Sequence, residues 1–271
     1  MFTARNPFPG VFHITDEMGV SFSLVEGEDS ALVFDAGYGT EDVAAYLRTL
    51  TDKPFELILS HGHHDHMLGA RWFDHSLMDH ADLEEFRLRA GSGQREKVRN
   101  QAKERGVTLP DGFMTDVIPE PLPMKYPDTV GRFACCVYDL GGREVWAVRV
   151  PGHTPGSIVL CVPDLQLLLT GDDWNPCTWM WFPCSLPVRQ WHSNMLELIA
   201  RLEEETGEEL LHVLCSHQPG LRDAAELKAF LSCMDEARIR EAPAVDMGVP
   251  INTHQIVVPE KDWVLLFDAD K

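Results

Sequence analysis

The sequence predicts an α+β protein in which two sheets pack against each other and helices cover their outer faces. Strand-like runs followed by a helix occur in the first half of the chain, and the same order returns in the second half. No sequence period of about 20–50 residues is present, so solenoids and propellers are excluded.

The first half begins with short β-rich runs at 11–15, 20–27 and 30–37, which Gly and acidic turn residues separate as in an antiparallel meander. A helix is predicted to follow from Thr40, which is a suitable N-cap. An apolar strand at 55–60 then leads directly into a His-rich turn.

The segment 81–127 is predicted to be a helical, cap-like insertion within a single domain that spans 1–271. Its first part is charged with few apolar positions, and a Gly-Ser-Gly break at 91–93 divides it into two amphipathic helices. Its last part, 111–127, is rich in Pro and returns the chain to the main fold. The insertion can serve as a lid over a pocket or as a solvated outer layer.

The second half repeats the pattern of strands followed by helices. Its predicted elements are strands at 132–140, 144–150, 157–163 and 165–171, a helix around 194–205, a strand at 211–216, a helix at 223–240 and a strand-rich tail around 255–267.

Composition and charge limit the function. The chain has 271 residues with 23 Lys+Arg against 43 Asp+Glu, a net charge of −20, which disfavours binding to long polyanions such as nucleic acids. No membrane segment and no secretory leader are recognisable, so a cytoplasmic location without membrane contact is predicted. Seven irregularly spaced Cys favour reduced thiols over a disulfide framework.

Four potential metal ligands follow the apolar strand at 55–60. The sequence SHGHHDHMLG starts at Ser60 and contains them: His61, His63, Asp65 and His66. Because alternate residues of an extended turn point the same way, the first two can share one metal ion while the last two face a second. The same alternation predicts that His64 points away.

Three later polar residues share one placement, just after an apolar strand: His153 in VPGHTPGS, Asp172 in LLLTGDD and His217 in VLCSHQPG. Each alone is typical of a turn or a cap, but together they complete a set of donors that suits Zn, Fe or Mn. Two divalent ions about 3.5–4 Å apart would share a water, supply a bridging hydroxide as nucleophile and polarise the scissile bond. We expect Asp65 to be the catalytic residue that both ligates and orients this hydroxide.

These motifs resemble the metallo-β-lactamase superfamily, whose HxHxDH motif is His61 to His66 here and whose later ligands follow in the same order. The resemblance implies a four-layer αβ/βα sandwich and two divalent metal ions, with Zn the first candidate. It implies that His61, His63 and His153 hold one metal ion, that Asp65, His66 and His217 hold the other, and that Asp172 bridges both. Asp35, in LVFDAG, resembles the acid that orients a ligand in this family.

A Trp-rich, Pro-punctuated stretch follows Asp172 and is predicted to line an apolar substrate pocket. The candidate residues are Trp174, Trp179, Trp181, Phe182 and Arg189, the last as a partner for a substrate anion. The alternative is that the aromatic residues fill the core or form a homodimer interface.

The predicted function is a dinuclear metal-dependent hydrolase, similar to glyoxalase II and its relatives, acting on a small, partly apolar ester, thioester or lactone. The basic run near the C-terminus with which glyoxalase II binds glutathione is missing, which argues against that thioester. The alternatives are a phosphodiesterase for small phosphodiesters and an iron oxygenase of the persulfide dioxygenase type.

Overall fold

Two seven-stranded sheets and one three-stranded sheet form the framework of the computed structural model, which describes residues 1–271. The first sheet contains, in spatial order, β1 (Thr3–Phe8), β2 (Val11–Thr15), β3 (Ser21–Glu26), β4 (Ala31–Phe34), β5 (Phe55–Ile58), β6 (Leu77–Met78) and β7 (Leu122–Pro123). The second contains β15 (Arg222–Asp223), β14 (His212–Leu214), β12 (Leu167–Leu169), β11 (Ile158–Val162), β10 (Glu144–Arg149), β9 (Phe133–Asp139) and β8 (Asp128–Val130). The third contains β13 (Cys177–Met180), β17 (Trp263–Asp268) and β16 (Thr253–Val258).

Seven α-helices accompany the sheets: α1 (Val43–Leu47), α2 (His64–Met67), α3 (Leu83–Ala90), α4 (Ser92–Arg105), α5 (Val188–Thr206), α6 (Ala224–Cys233) and α7 (Glu236–Glu241). Short 3-10 turns lie at Leu68–Trp72, His80–Asp82, Pro163–Leu165 and Pro259–Lys261.

The two large sheets face each other across a shared apolar layer, and β4 shows how the sequence produces this arrangement. Leu32 and Phe34 join the cluster between the sheets, whereas Ala31 and Val33 join the cluster under α1 to α4. Successive side chains of a strand point to opposite faces, so a strand covered on both faces is a continuous apolar run. The predicted class, two packed sheets with helices outside, is confirmed.

Some elements differ from the prediction. β1 was not predicted, and α5 begins at Val188, six residues before the predicted start. α1 begins at Val43, and its N-cap is Asp42, whose carboxylate accepts a hydrogen bond from Ala45 N at 2.8 Å, instead of Thr40. The Trp-rich stretch contains β13, which pairs in parallel with β17 from the tail.

The predicted insertion 81–127 contains α3, α4 and β7. Its two helices meet at Gly91, inside the predicted break; α3 packs against α2, and α4 packs against α3. Asp82, immediately before α3, is buried, and its carboxylate accepts hydrogen bonds from Gly62 N (3.1 Å), Gly156 N (2.6 Å) and Thr154 Oγ1 (2.5 Å). The start of the insertion is thereby attached to two loops that carry predicted ligands.

All seven Cys are free thiols, as the sequence predicts. None of the helices has the length and apolar character needed to cross a membrane.

Candidate metal centre

The seven predicted ligands lie at the carboxyl ends of strands, and the topology brings these ends together. β5 leads to the His-rich turn, and β10, β12 and β14 lead to His153, Asp172 and His217. β12 and β14 are parallel, and β10 runs the same way because β11 is antiparallel to both of its neighbours. Residues that follow parallel strands meet at one edge of a sheet, where ligand sites of such folds form.

The first donor set consists of His61, His63 and His153, all buried. His153 Nε2 lies 3.0 Å from His63 Nδ1, and the ring of His61 is 4.6 Å from that of His63 and 4.8 Å from that of His153. Burial lowers the pKa of His61 and lowers that of His153 to about 3, so both imidazoles are neutral and can offer a lone pair to a metal ion.

The second donor set consists of Asp65, His66, Asp172 and His217. Asp65 Oδ2 lies 3.7 Å from the Nε2 atoms of both His66 and His217. Burial raises the pKa of Asp65, but the nearby imidazoles of His66, His64 and His217 outweigh it and hold this carboxyl ionised.

Asp172 touches both sets. Its Oδ2 atom lies 3.1 Å from His217 Nε2, 3.3 Å from His66 Nε2 and 3.7 Å from His153 Nε2. Burial opposes ionisation, yet the imidazoles of His217 and His66 hold the pKa of Asp172 well below its usual range. The Asp172 carboxylate thus lies close to imidazole nitrogens from both donor sets.

The donor atoms fit divalent metal ions. His61 Nε2, His66 Nε2 and Asp172 Oδ1 are buried and have no hydrogen-bond partner. A buried polar atom without a partner is costly, and a bound cation would satisfy these three atoms of the two donor sets. Imidazole and carboxylate donors suit Zn, Fe or Mn.

Asp35 contacts one member of the second donor set. Its carboxylate is fully buried and accepts hydrogen bonds from Ser60 N at 2.7 Å and Ser60 Oγ at 2.8 Å, and it lies 2.8 Å from His66 Nδ1. A contact with Nδ1 leaves His66 Nε2 free to face a metal ion.

The second ring nitrogen of His63 has contacts outside the donor set that the sequence pattern did not predict. This Nε2 atom lies 3.5 Å from Glu85 Oε1 on α3 and 3.7 Å from Cys184 Sγ. The Glu85 carboxylate also accepts a hydrogen bond from Arg89 Nε at 2.6 Å. The spacing of four residues between Glu85 and Arg89 predicts that pair on a helix, but no local signal predicts the contact with His63.

A cavity of about 550 Å³ opens in front of the donors. Of the predicted pocket residues, Trp179 and Phe182 line it. Trp174 is instead fully buried in the core, and Trp181 is stacked on Phe182 with ring centroids 4.8 Å apart. Arg189 is outside the lining, in an exposed ion pair with Glu236 at 2.8 Å.

The conformation of the His-rich turn also differs from the prediction. The predicted extended turn is a single helical turn, α2, which places His64 in the cavity lining but outside both donor sets. The lining also includes Arg89, Gln101 and Arg105 from the insertion. Sequence reasoning missed these three residues because charged helix positions usually face solvent.

The family model of the metallo-beta-lactamase superfamily matches residues 15–172, which include six of the seven donors. The chain belongs to the metallo-β-lactamase superfamily. Solved structures agree with the fold: a metallo-beta-lactamase from Pontibacter korlensis superposes with a TM-score of 0.56 at 16% identity, covering 87% of this chain and 100% of that one. The sec-alkylsulfatase Pisa1 from Pseudomonas sp. gives a TM-score of 0.62 at 13% identity, covering 89% of this chain and 43% of that one.

Curated relatives in the superfamily are thioesterases. The acyl-coenzyme A thioesterase MBLAC2 of Bos taurus is 26% identical over 179 residues, and the protein of the same name from Homo sapiens has the same identity and length of match. In each case the match covers 56% of this chain and 60% of the relative's length.

Proposed function

We propose that this metallo-β-lactamase superfamily member is a dinuclear metal-dependent hydrolase of acyl thioesters, with zinc as its metal. The observation that carries the proposal is the position of Asp172, whose Oδ2 atom lies within 3.7 Å of imidazole nitrogens from both donor sets. The thioesterase relatives support the choice of thioesters among the esters and lactones that such a site can hydrolyse.

In this proposal the two donor sets have separate tasks. His61, His63 and His153 hold one metal ion, and Asp65, His66 and His217 hold the second. Asp172 joins the two. When bound, two divalent ions supply a water of lowered pKa and polarise the scissile carbonyl.

The other residues of the site act through their own atoms. Asp65 Oδ2 faces the imidazoles of His66 and His217, whereas Asp65 Oδ1 lies 3.6 Å from His64 Nδ1. Oδ1 can therefore accept a hydrogen bond from the attacking water and orient it. Trp179 and Phe182 cover one side of the cavity with aromatic rings, which exclude water and take the acyl chain.

The proposed unit is a single domain over 1–271 with 81–127 as a cap. Asp82 supports this arrangement, since it attaches the start of the segment to the loops of His63 and His153. α3 supports it as well, because Glu85 contacts a metal ligand directly.

The proposal is tested by metal content and hydrolysis in the same preparations. Protein purified without added metal is expected to contain close to two metal ions per chain and to cleave acyl thioesters in preference to lactones, β-lactams and phosphodiesters. Asp172→Ala is expected to lower metal occupancy and to reduce hydrolysis by more than about 100-fold, since a shared ligand is lost. Asp52→Asn, at an exposed carboxylate that takes part in no ion pair, is the control.

Three outcomes would overturn the proposal. Unchanged metal content and activity in Asp172→Ala would exclude the bridge. Cleavage of phosphodiesters alone would change the reaction class. One tightly held iron with consumption of dioxygen would identify an oxygenase.

A further inference from the structure

The cavity in front of the donors has two chemically different sides. On one side lie Trp179 and Phe182, and the Phe182 ring is 4.8 Å from the ring of His63. The apolar side therefore begins at the metal ligands themselves. It can hold an acyl chain whose carbonyl group is at the metal centre.

A polar part of the lining comes from the insertion. Gln101 and Arg105 lie four residues apart on α4, so they share one face of the helix, and both line the cavity while remaining exposed at its rim. Arg89 on α3 lines the cavity too, but its guanidinium lies 5.9 Å from the centre of the Phe182 ring and therefore beside the aromatic residues. A substrate with an apolar half and a polar half matches these two sides.

The two arginines differ in their charge partners. Arg89 Nε is 2.6 Å from Glu85 Oε1, so its charge is neutralised within the insertion. Arg105 donates a hydrogen bond to the backbone carbonyl of Met18 and has no carboxylate within ion-pair distance. The two carboxylates of the lining, Asp65 and Asp172, belong to the metal donor sets.

An unpaired guanidinium at this position is notable in a chain of net charge −20, which has many acidic side chains with which to pair it. Of the arginines on α4, Arg99 is paired with Glu96, and Arg95 is buried and bonded to backbone carbonyls. Arg105 alone presents an uncompensated charge to the cavity. A guanidinium of this kind binds phosphate or carboxylate groups through charge-assisted hydrogen bonds.

We propose that Arg105, with Gln101 beside it, forms an anion-binding subsite at the rim, so that the substrates are thioesters whose thiol half carries a phosphate or carboxylate group. The acyl half lies against Trp179 and Phe182, and the anionic half lies against α4. This inference rests on the proposed thioesterase function and names the substrate class of that site.

The experiment compares one acyl group on three thiols: coenzyme A, which carries phosphates, glutathione, which carries carboxylates, and N-acetylcysteamine, which is neutral. Arg105→Ala is expected to lower kcat/KM for the coenzyme A thioester at least about tenfold and to leave the neutral thioester within about twofold. Arg99→Ala, on the same helix but outside this cavity, should change neither value. If Arg105→Ala lowers kcat/KM for the glutathione thioester as much as for the coenzyme A thioester, the subsite binds anions in general. If the fall for the glutathione thioester is smaller, the subsite is specific for phosphate.

A binding measurement separates this inference from the proposed function. S-methyl coenzyme A, a thioether that cannot be hydrolysed, is titrated calorimetrically into the wild-type protein, Arg105→Ala and Arg105→Lys. The alanine variant is expected to bind at least about tenfold more weakly, with partial recovery in the lysine variant. If no thioester is cleaved but this difference is found, the subsite stands and the thioesterase proposal fails. Equal binding by all three proteins, or an equal loss of kcat/KM on the neutral thioester, would overturn the subsite.

Discussion

Asp35 shows how much one residue contributes to the arrangement of the donors. Its backbone has φ of +68°, in the left-handed region that most side chains avoid. From that position the Asp35 carboxylate accepts hydrogen bonds from Ser60 N and Ser60 Oγ and lies 2.8 Å from His66 Nδ1. The left-handed backbone therefore directs a buried carboxylate at His66, one of the predicted metal ligands.

Asp35→Asn isolates the role of that charge, because Asn tolerates the left-handed conformation as well as Asp does. The amide retains the shape of the side chain but holds His66 less firmly, so we expect metal affinity to fall about 10-fold to 100-fold. Competition with a chromophoric chelator measures the affinity, and circular dichroism checks that the fold is retained. Unchanged affinity in a folded variant would contradict the role given to Asp35.

At the residue scale the sequence was most informative where ligands are close together or follow strands. The seven donors and Asp35 could be selected because each stands at the end of an apolar run. Glu85, Cys184 and Arg105 could not, because their contacts with the site depend on how the insertion packs against α2 and not on any local pattern.

At the scale of elements, the packing of α3 against the donor loop depends on Gly62. A Cβ atom at this position would lie 2.7 Å from Phe86 N and 2.9 Å from Asp82 O, both in the backbone. Backbone atoms cannot move aside as a flexible side chain can. The helix approaches the loop between His61 and His63 this closely because the residue between them has no side chain.

Gly62→Ala is therefore expected to displace α3 and to lower the free energy of unfolding by about 1–3 kcal/mol, with weaker metal binding as a second effect. Gly93→Ala is the matched control, because a Cβ there meets nothing within 4 Å and the residue lies in α4. We expect the control to have unchanged or slightly higher stability, by up to about 1 kcal/mol. Urea denaturation of both variants measures the difference, and equal stability of the two would show that the close contact carries no cost.

The elements that the sequence did not predict lack a local signal. β1 reads TARNPF, which does not alternate between apolar and polar residues, and it forms because β2 offers an open edge. β13 alternates between exposed and buried positions, but its partner β17 lies more than 80 residues further along the chain. Pairing over such a separation depends on the tertiary fold.

At the scale of the whole molecule, the two sheets were predictable because their central strands are apolar throughout, as β4 and β11 show. The four-layer form follows from these strands, which need an apolar layer on each face. The same layers place the donor loops at one edge and leave the acidic residues for the outer surface. A chain of net charge −20 thus surrounds a cavity whose rim carries an unpaired arginine.

The repulsion from the acidic surface and the attraction to Arg105 act over different distances, and this difference predicts how salt affects catalysis. A protein of this length has a radius of roughly 24 Å. A charge of −20 at that radius repels a unit negative charge by about 3 kcal/mol in water without salt. The Debye length falls from about 30 Å at 0.01 M salt to about 8 Å at 0.15 M, which removes most of this repulsion while a contact ion pair at Arg105 is screened less.

We therefore expect kcat/KM for the coenzyme A thioester to rise several-fold as salt increases from about 0.01 M to about 0.15 M. The N-acetylcysteamine thioester of the same acyl group carries no charge and is expected to change little, which controls for any effect of salt on the protein itself. Arg105→Ala should show the same rise from a lower starting value, because the repulsion comes from the whole surface and not from this residue. A fall of kcat/KM with salt for the anionic substrate would show that the local attraction extends beyond contact and outweighs the acidic surface at long range.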